Sequence, residues 1–352
     1  MKKLILILLG FAALSALWGQ ETRPTLDDIG YCWDIPQVNR LMDYLASAST
    51  GEETGQLPNL IAGISPHDDY LYAGPIYYRL FKHVNAKEVV IFGVTHSSVR
   101  KALGDPQDKL IFDAYTYWKG PYKNVNISKL REYLKEKLDK NLYITSNEAH
   151  QAEHSIEAMI PFLQHFNRDV HITPIMVTGM NFETMERISA ELASVIASYI
   201  KENNLKIGKD IFFLISADAN HYGKDFDNIP YGEDEKAHRL ATERDQTIAN
   251  TYLSGEITPG KIRGLTGELW GKTYKDYKDT VWCGKYSIPF GMLTVIHLLE
   301  KSDSQHLKGE IFQFSDTYTG GVLPLKKVGL GITAPFSLKH WVSFFSAGYF
   351  IK

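Results

Sequence analysis

The stretch LIAGISPHDDY, residues 60–70, decides the fold. It begins with a short apolar run, which is typical of a buried β-strand, and it turns polar abruptly at Pro66 and His67. Two further stretches repeat this pattern: VVIFGVTH, residues 89–96, and IFFLISADANH, residues 211–221. Each run therefore predicts a strand that carries polar side chains at its carboxyl end.

Helical patterns lie between the apolar runs. The predicted strands are residues 60–64, 89–94, 172–177, 211–215, 311–314 and 328–332. Apolar residues at three- and four-residue steps predict amphipathic helices over residues 127–138, 182–200, 234–253 and 288–299. This alternation favours an α/β fold, a single domain with a mixed, mostly parallel sheet and helices on both faces.

Three further segments have patterns that predict their place in the fold. The polar helix 234–253 is interpreted as a solvated surface helix, because charged residues occur on most of its turns. The Tyr-rich stretch 115–122 is interpreted as a loop. The tail 341–350 alternates apolar and small residues, and we expect it to be a last edge strand.

Residues 1–20, MKKLILILLGFAALSALWGQ, begin with two lysines, continue with an apolar run and end in small and polar residues. This layout predicts a secretory signal peptide, so we expect an exported domain over residues 21–352, periplasmic or secreted. A retained anchor is the alternative. The apolar run is shorter than the roughly 20 residues that span a bilayer, so we expect no stable membrane insertion after cleavage.

The net charge of −3 and the lack of a Lys/Arg stripe argue against nucleic-acid binding and favour a small molecule or a peptide as partner. Cys32 and Cys283 are too few for a disulfide scaffold in a chain of this length. A single bridge between them stays open as an alternative use of Cys283.

Histidines follow all three of the runs quoted above, as His67, His96 and His221. In open α/β sheets the ligand crevice lies outside the carboxyl ends of the strands, so these histidines should share one rim. One such histidine is more often an ordinary loop residue. Three, each beside Asp, Ser or Thr that can orient an imidazole, favour a site for zinc, copper or iron.

Two further segments carry reactive groups. Glu153 and Glu157 suit the start of a helix, but that reading does not explain His154, which is a candidate for proton transfer because histidine titrates near neutral pH. Cys283 stands before the predicted helix 288–299, where a thiolate is stabilised by the helix dipole and is a strong soft ligand. Gly284 would let the backbone approach a site closely.

The chain resembles the Memo family, called AmmeMemoRadiSam system protein B in bacteria, which is similar in fold to the class III extradiol dioxygenases. Five blocks, in the family's order, carry the resemblance. Residues 66–74 match the family's pattern Pro-His-Ala-Gly-Tyr-x-Tyr-Ser-Gly, and residues 93–97 match Gly-Pro-Ser-His-His. Residues 153–157 match Glu-His-Ser-Ile-Glu. Residues 216–223 match Ser-Ser-Asp-Phe-Ser-His-Tyr-Gly, and residues 283–288 match Cys-Gly-Arg-Gly-Pro-Ile.

The resemblance implies that His67, His96 and Cys283 bind a metal ion. It further implies a shared pocket whose other candidate residues are Asp218, His221, Glu153, His154 and Tyr70, with His221, Asp218 and His154 in catalytic roles. The chain departs from the family at Asp68 and Asp69, which replace Ala-Gly and would join the metal, orient His67 or repel an anionic substrate. It departs again at Ser97, which replaces a second histidine, and at Lys285, which replaces an arginine and lacks its planar fork.

Three functions compete. The first is a mononuclear non-haem iron enzyme, dioxygenase-like, in which Cys283 stands where the dioxygenases have a carboxylate and His221 or His154 moves protons. The second is a zinc-dependent hydrolase with Asp218 or Asp69 as base. The third is a non-catalytic protein that binds copper, iron or a partner. Fe(II) is the expected ion, with Cu and Zn as alternatives, and the sequence leaves the oligomeric state open.

Overall fold

The structure, a computed structural model, describes residues 21–49, 57–301, 306–325 and 329–352. The predicted signal peptide, residues 1–20, lies outside the described residues, as does residue 328 of the predicted strand 328–332. Within the described ranges, no helix combines the length and the apolar character needed to cross a membrane.

Strands occur throughout the described chain. They are β1 Thr22–Arg23, β2 Leu60–Ser65, β3 Glu88–Gly93, β4 Leu110–Phe112, β5 Tyr117–Trp118, β6 Val125–Ile127, β7 Tyr143–Thr145, β8 His171–Val177, β9 Ile211–Ser216, β10 His221–Gly223, β11 Gly255–Ile257, β12 Leu307–Asp316 and β13 His340–Ile351.

Helices connect most of these strands. They are α1 Ile35–Ala48, α2 Tyr70–Phe81, α3 Ser97–Ala102, α4 Lys129–Lys137, α5 Asn147–Gln151, α6 Ile160–Phe166, α7 Phe182–Glu202, α8 Glu235–Leu253, α9 Pro259–Leu269, α10 Ser287–Glu300 and α11 Thr317–Gly320. Short 3-10 turns cover Lys140–Leu142, Glu157–Met159, Lys224–Phe226 and Cys283–Lys285.

One mixed sheet organises the chain. Its order is β1-β5-β6-β8-β3-β9-β2-β13-β12-β11, with β10 paired to β13 and β4 paired to β8 and β7. The consecutive strands β6, β8, β3, β9 and β2 are parallel, whereas β13, β12 and β11 are antiparallel to their neighbours. The predicted α/β fold with a mixed, mostly parallel central sheet is therefore confirmed.

Both faces of the sheet are covered. In β3, Val90 and Phe92 pack in the core that contains α7 and α10, while Val89 and Ile91 pack in the core that contains α1 and α2. Alternate residues of a strand point to opposite faces, so a strand buried on both sides reads as a continuous apolar run. This is why the three apolar runs predict the central strands correctly.

The C-terminal strand corrects the predicted topology. Strand β13 is an interior strand rather than an edge strand, since it lies between β2 and β12 and also pairs with β10. Small residues explain the misleading pattern. A side chain at Gly348 would lie 2.3 Å from the ring of Phe312, so this position of the strand must stay small for the sheet to pack.

Other local predictions need correction. The described residues 329–332 form no strand; in this segment the Gly331 N–H donates to the Ile29 carbonyl (2.9 Å). The stretch 115–122 contains the short strand β5. Helix α8 has an exposed face, but its other face is buried and includes Asp245, so it is not solvated all round.

Candidate metal centre

Three adjacent strands meet at the candidate site. Strand β9 lies between β3 and β2, and the pairing of Ser65 with Ser216 aligns the carboxyl ends of β2 and β9. His67, His96 and Asp218 follow these strand ends within two or three residues. The expectation that the polar ends lie together on one rim is met because the three strands are parallel neighbours.

His67 is buried and held by a chain of hydrogen bonds. Its Nδ1 lies 2.8 Å from the Ser216 hydroxyl, and that hydroxyl donates to the Ser155 carbonyl at 2.7 Å. Since the hydroxyl has only one proton, it accepts from the Nδ1–H of His67, which leaves the lone pair on Nε2. Burial and the neighbouring imidazoles of His96 and His154 lower the pKa of His67, so the ring is neutral, as a metal ligand must be.

His96 is held by a carboxylate instead. Its Nδ1 lies 2.8 Å from Oε1 of Glu153, and its backbone N–H donates to Oε2 at 2.9 Å. Burial disfavours the ionised form of Glu153, but the His96 ring and backbone N–H groups outweigh burial and lower the pKa of Glu153. Burial lowers the pKa of His96, but the charge of Glu153 and the hydrogen bond to it outweigh burial and raise this pKa overall. The carboxylate is only an acceptor, so the neutral form of His96 carries its lone pair on Nε2, and a metal ion would displace a proton from there.

Cys283 supplies a sulfur to the same space. Its Sγ lies 3.4 Å from Nε2 of His67 and accepts the backbone N–H of Asp218 at 3.1 Å. Two such donors bound to one tetrahedral ion would be about 3.5 Å apart. Gly284 permits this approach, since a side chain there would lie 2.4 Å from Cβ of Ala217.

The protonation of Cys283 differs from the sequence expectation of a dipole-stabilised thiolate. Burial, followed by the negative charge of Asp218, raises the pKa of Cys283 well above its usual range. The sulfur also sits in a 3-10 turn before α10 rather than at the first turn of that helix. A bound cation, not the helix, is thus the charge that would favour the thiolate.

Three groups of potential ligands have all their donor atoms within 4.8 Å of one another. They are His67, His96 and Cys283; His96, Glu153 and His154; and Asp218, His221 and Cys283. The first group contains the three residues that the family resemblance assigns to a metal ion. The other two groups share one member each with it, so the site is a single cluster.

Asp218, His221 and His154 surround the three donors. Oδ2 of Asp218 lies 3.3 Å from Nε2 of His67, and burial raises the pKa of Asp218 to about 7. The His154 ring stacks on His96 with centroids 4.7 Å apart, and Nδ1 of His221 donates to the Ala219 carbonyl at 3.3 Å. Burial is the main reason why the pKa values of His154 and His221 are lowered to about 4.

Of the remaining candidates, Asp69 and Tyr70 face away from the three donors. Asp68 is close enough for its charge to add to burial in raising the pKa of Cys283. The carboxylate of Asp69 accepts from the backbone N–H (2.6 Å) and hydroxyl (3.0 Å) of Thr333, so it anchors the segment before β13. Oδ1 of Asp68 accepts the N–H of Asp69 at 2.6 Å. Tyr70 is buried in the core and donates to the Ala158 carbonyl at 2.6 Å. None of the three belongs to a ligand group among the described residues.

Lys285 is also turned away from the donors. Its Nζ donates to the carbonyls of Lys275 (2.8 Å) and Asp276 (3.2 Å) and lies 3.8 Å from the ring centroid of Tyr277. Burial, followed by the positive charge of Arg100, lowers the pKa of Lys285 to about 7. The lysine therefore ties down the loop that leads to Cys283. Cys32 is buried and free, and Cys283 is free as well, so the alternative disulfide is not formed.

Sequence reasoning missed the residues that support the site from a distance. Ser216 orients His67, and Asp245 accepts the indole N–H of Trp282 at 2.9 Å. Glu157 forms a buried ion pair with Arg23, whose guanidinium also donates to the Glu153 carbonyl at 2.7 Å. Ser216 could have been found from its place at the end of a predicted strand, but no local signal marks Asp245 or Arg23.

Comparison with known proteins agrees with this geometry. The family model described as Memo-like protein matches residues 33–308. A MEMO1 family protein of Aquifex aeolicus is 31% identical over 202 residues, which cover 56% of this chain and 67% of that protein. One of Methanococcoides burtonii is 29% identical over 238 residues (67% and 74%), and one of Pyrobaculum arsenaticum is 27% identical over 214 residues (57% and 68%).

The matched region includes all five sequence blocks and every residue of the three ligand groups. The sheet order and the cluster at its carboxyl-end rim fit the fold expected from the resemblance. The chain is a member of the Memo family.

Proposed function

We propose that the protein binds one transition-metal ion through His67, His96 and Cys283 and acts as a non-haem iron redox enzyme on a small organic molecule or peptide. The observation that carries this proposal is the convergence of two imidazole nitrogens and one sulfur within 4.8 Å of one another. Hydrogen bonds to Ser216 and Glu153 hold the Nδ1 side of each ring, which leaves Nε2 as the ligand atom, and Nε2 of His67 lies 3.4 Å from the sulfur.

The donor chemistry fits such an ion. Imidazole suits iron, copper and zinc, and thiolate is a soft ligand; two histidines and one anionic donor leave open positions for oxygen and substrate when Fe(II) is bound. An Fe(II) ion would supply the one-electron chemistry that protein side chains lack. Copper or zinc would satisfy the same donors, so the identity of the ion is the first quantity to measure.

The residues around the donors would bind the substrate and move protons. The side chain of His67 is 2% exposed, whereas that of His96 is 25% and that of His154 is 37% exposed. This gradient supports substrate entry from the side of His96 and His154. His154 and His221 are neutral near pH 7, and each can accept a proton from a substrate hydroxyl within hydrogen-bond reach.

The test combines metal analysis with oxygen consumption. Protein purified without oxygen should contain about one iron per chain by elemental analysis, and Cys283→Ser and His67→Ala variants should lose it. Oxygen uptake should then rise with at least one member of a catechol panel. Zinc at full occupancy together with oxygen-independent ester hydrolysis would replace this proposal with the hydrolase. Tight metal binding without any turnover would replace it with a binding protein.

We also propose that the protein acts outside the cytoplasm, on the strength of residues 1–20 alone. Mass spectrometry of the protein isolated from its own cells tests this. A mature chain that begins near residue 21 in the periplasmic or secreted fraction supports export. An intact N-terminus in the cytoplasmic fraction contradicts it.

A further inference from the structure

Asp245 is a buried carboxylate on α8 that belongs to none of the three ligand groups. It is 0% exposed, and all of its donors are neutral. They are the Thr280 hydroxyl (2.8 Å) and the Trp282 indole N–H (2.9 Å) at Oδ1, the Ser343 hydroxyl (3.2 Å) at Oδ2, and the side chain of Asn220.

An acidic residue at this position is unfavourable for stability alone. Taking a carboxylate out of water is costly, and neutral donors offset this less well than a cation does. The neighbours of Asp245 on the same helix face, Ala241, Ile248 and Ala249, are apolar. We therefore attribute the presence of a carboxylate at this position to the hydrogen bonds that it accepts, since an apolar side chain would fill the buried space at a lower cost.

The hydrogen bonds join two segments that carry the site. The His221 N–H donates to the Val281 carbonyl at 3.0 Å, and the Val281 N–H donates to Oδ1 of Asn220 at 3.0 Å. Asn220 and Trp282 thus form a short antiparallel bridge. Asp245 receives a side-chain hydrogen bond from both partners of this bridge.

The reactive groups lie on the same two segments. Cys283 directly follows Trp282, and Asp218 lies two residues before Asn220. Sγ of Cys283 accepts the N–H of Asp218 at 3.1 Å, across the bridge that Asp245 supports. A shift of the Trp282 indole would move Cys283 relative to both Asp218 and His67.

We propose that Asp245 is a positioning residue that fixes Trp282 and Asn220 and thereby sets the sulfur of Cys283 against the imidazole of His67. This inference rests on the proposed metal centre. Asp245 touches neither the ion nor the substrate. Its effect reaches the donors through the indole and the bridge.

The first test uses Co²⁺ as the probe. A thiolate bound to Co²⁺ gives a charge-transfer absorption in the near ultraviolet that reports the Co–S bond. Asp245→Asn should weaken Co²⁺ binding about tenfold, the effect typical of residues that orient metal ligands, and should change this absorption. Trp282→Phe, which keeps the ring but removes the N–H, should change both in the same direction by a smaller factor.

Asp316→Asn is the matched control. Asp316 is also a buried aspartate, 2% exposed; it contacts His238 of α8 at 3.2 Å and caps α11, and its side-chain partners are His238 and Thr319 rather than Trp282. This variant should lower the melting temperature and leave Co²⁺ affinity and absorption unchanged. Wild-type affinity and absorption in both Asp245→Asn and Trp282→Phe would overturn the proposal.

A metal-independent measurement separates this inference from the metal centre itself. In metal-free protein carrying Cys32→Ser, alkylation of Cys283 should be several-fold faster in Asp245→Asn than in the parent, because the thiol is no longer held against Asp218. If the parent binds no Co²⁺ but this acceleration is found, the metal proposal fails and the positioning role stands. An unchanged alkylation rate would overturn the positioning role.

Discussion

Glu153 and Asp245 are two buried carboxylates that each support a different residue next to the candidate centre. Glu153 orients His96, and Asp245 holds Trp282 next to Cys283. The partners differ: Glu153 faces the imidazole of His96, which can carry a positive charge, whereas no donor to Asp245 can do so. Burial alone would raise the pKa of either carboxylate. The net result differs, because the pKa of Glu153 is lowered below its usual range and that of Asp245 is raised to about 6.

This difference shows that the partners, not the depth of burial, decide the charge of a buried acid. It also gives the two residues opposite pH dependences. The lowered pKa of Glu153 means that its stabilising contribution is present above about pH 4.5 and is lost as the pH falls through its folded-state pKa. The raised pKa of Asp245 means that the folded protein holds a proton longer than the unfolded chain, so stability falls as the pH rises.

The largest effect should come from Glu153→Gln. The amide would place an N–H group against the His96 ring or a backbone N–H, so the free energy of unfolding of the metal-free protein should fall by about 3 kcal/mol. Metal affinity should fall about 10- to 100-fold. Chemical denaturation and Co²⁺ titration measure the two effects.

The control for Glu153 lies in the same block of sequence. Glu157 is buried but pairs with Arg23 and the N–H groups of Leu26 and Asp27. Glu157→Gln should destabilise the fold but lower metal affinity less than Glu153→Gln does, because Glu157 reaches Glu153 only through Arg23. Equal losses of affinity in both variants would show that Glu153 acts only through stability.

The second effect concerns Asp245 and pH. Between pH 4 and pH 7 the free energy of unfolding of the metal-free wild type should fall by about 2 kcal/mol relative to Asp245→Asn, since a pKa of about 6 replaces an ordinary value of 3.8. Urea denaturation of both proteins at several pH values measures this slope. Parallel pH profiles would mean that Asp245 titrates normally.

Ser216→Ala should have a smaller effect, because its hydrogen bond to His67 involves no charge. The free energy of unfolding should fall by about 1 kcal/mol. Metal affinity should fall by less than about tenfold, below the loss expected for Glu153→Gln. Isothermal titration with Zn²⁺ compares the two variants, and a larger loss for Ser216→Ala would reverse the proposed ranking of the two histidine supports.

The smallest effect is expected at a third carboxylate, Asp69. Thr333→Val removes the 3.0 Å hydroxyl contact but keeps the backbone N–H that also binds Asp69. Stability should fall by about 0.5–1 kcal/mol, and metal affinity should not change. A measurable loss of Zn²⁺ affinity would instead couple Asp69 to the centre.

Local signals explain what the sequence could predict. Helix α7 begins at Phe182, as its periodicity predicts, because Asn181 caps it by accepting the Thr184 N–H. The histidines could be grouped because each follows an apolar run, and parallel neighbouring strands bring such ends together. The order of the strands in the sheet, by contrast, is not determined by any short stretch of sequence. The interior position of β13 could therefore not be predicted from its alternating pattern.

The supporting residues that the sequence did not reveal depend on contacts between distant parts of the chain. Asp245 lies 37 residues from Trp282 and 98 residues from Ser343, and its helix looks like any charged surface helix in the sequence. Asp69 illustrates the opposite error. Its place near His67 in the sequence suggested a part in the centre, yet its side chain turns toward Thr333.

The interior place of β13 has a consequence for biosynthesis. Residues 340–351 separate β2 from β12, and Ser343 completes the hydrogen bonds of Asp245. A ribosome adds about 5 to 20 residues per second, so β2 emerges many seconds before its antiparallel partner. Until β13 arrives, the edge of β2 that it covers has no partner, and an unpaired strand edge is a template for pairing with other chains.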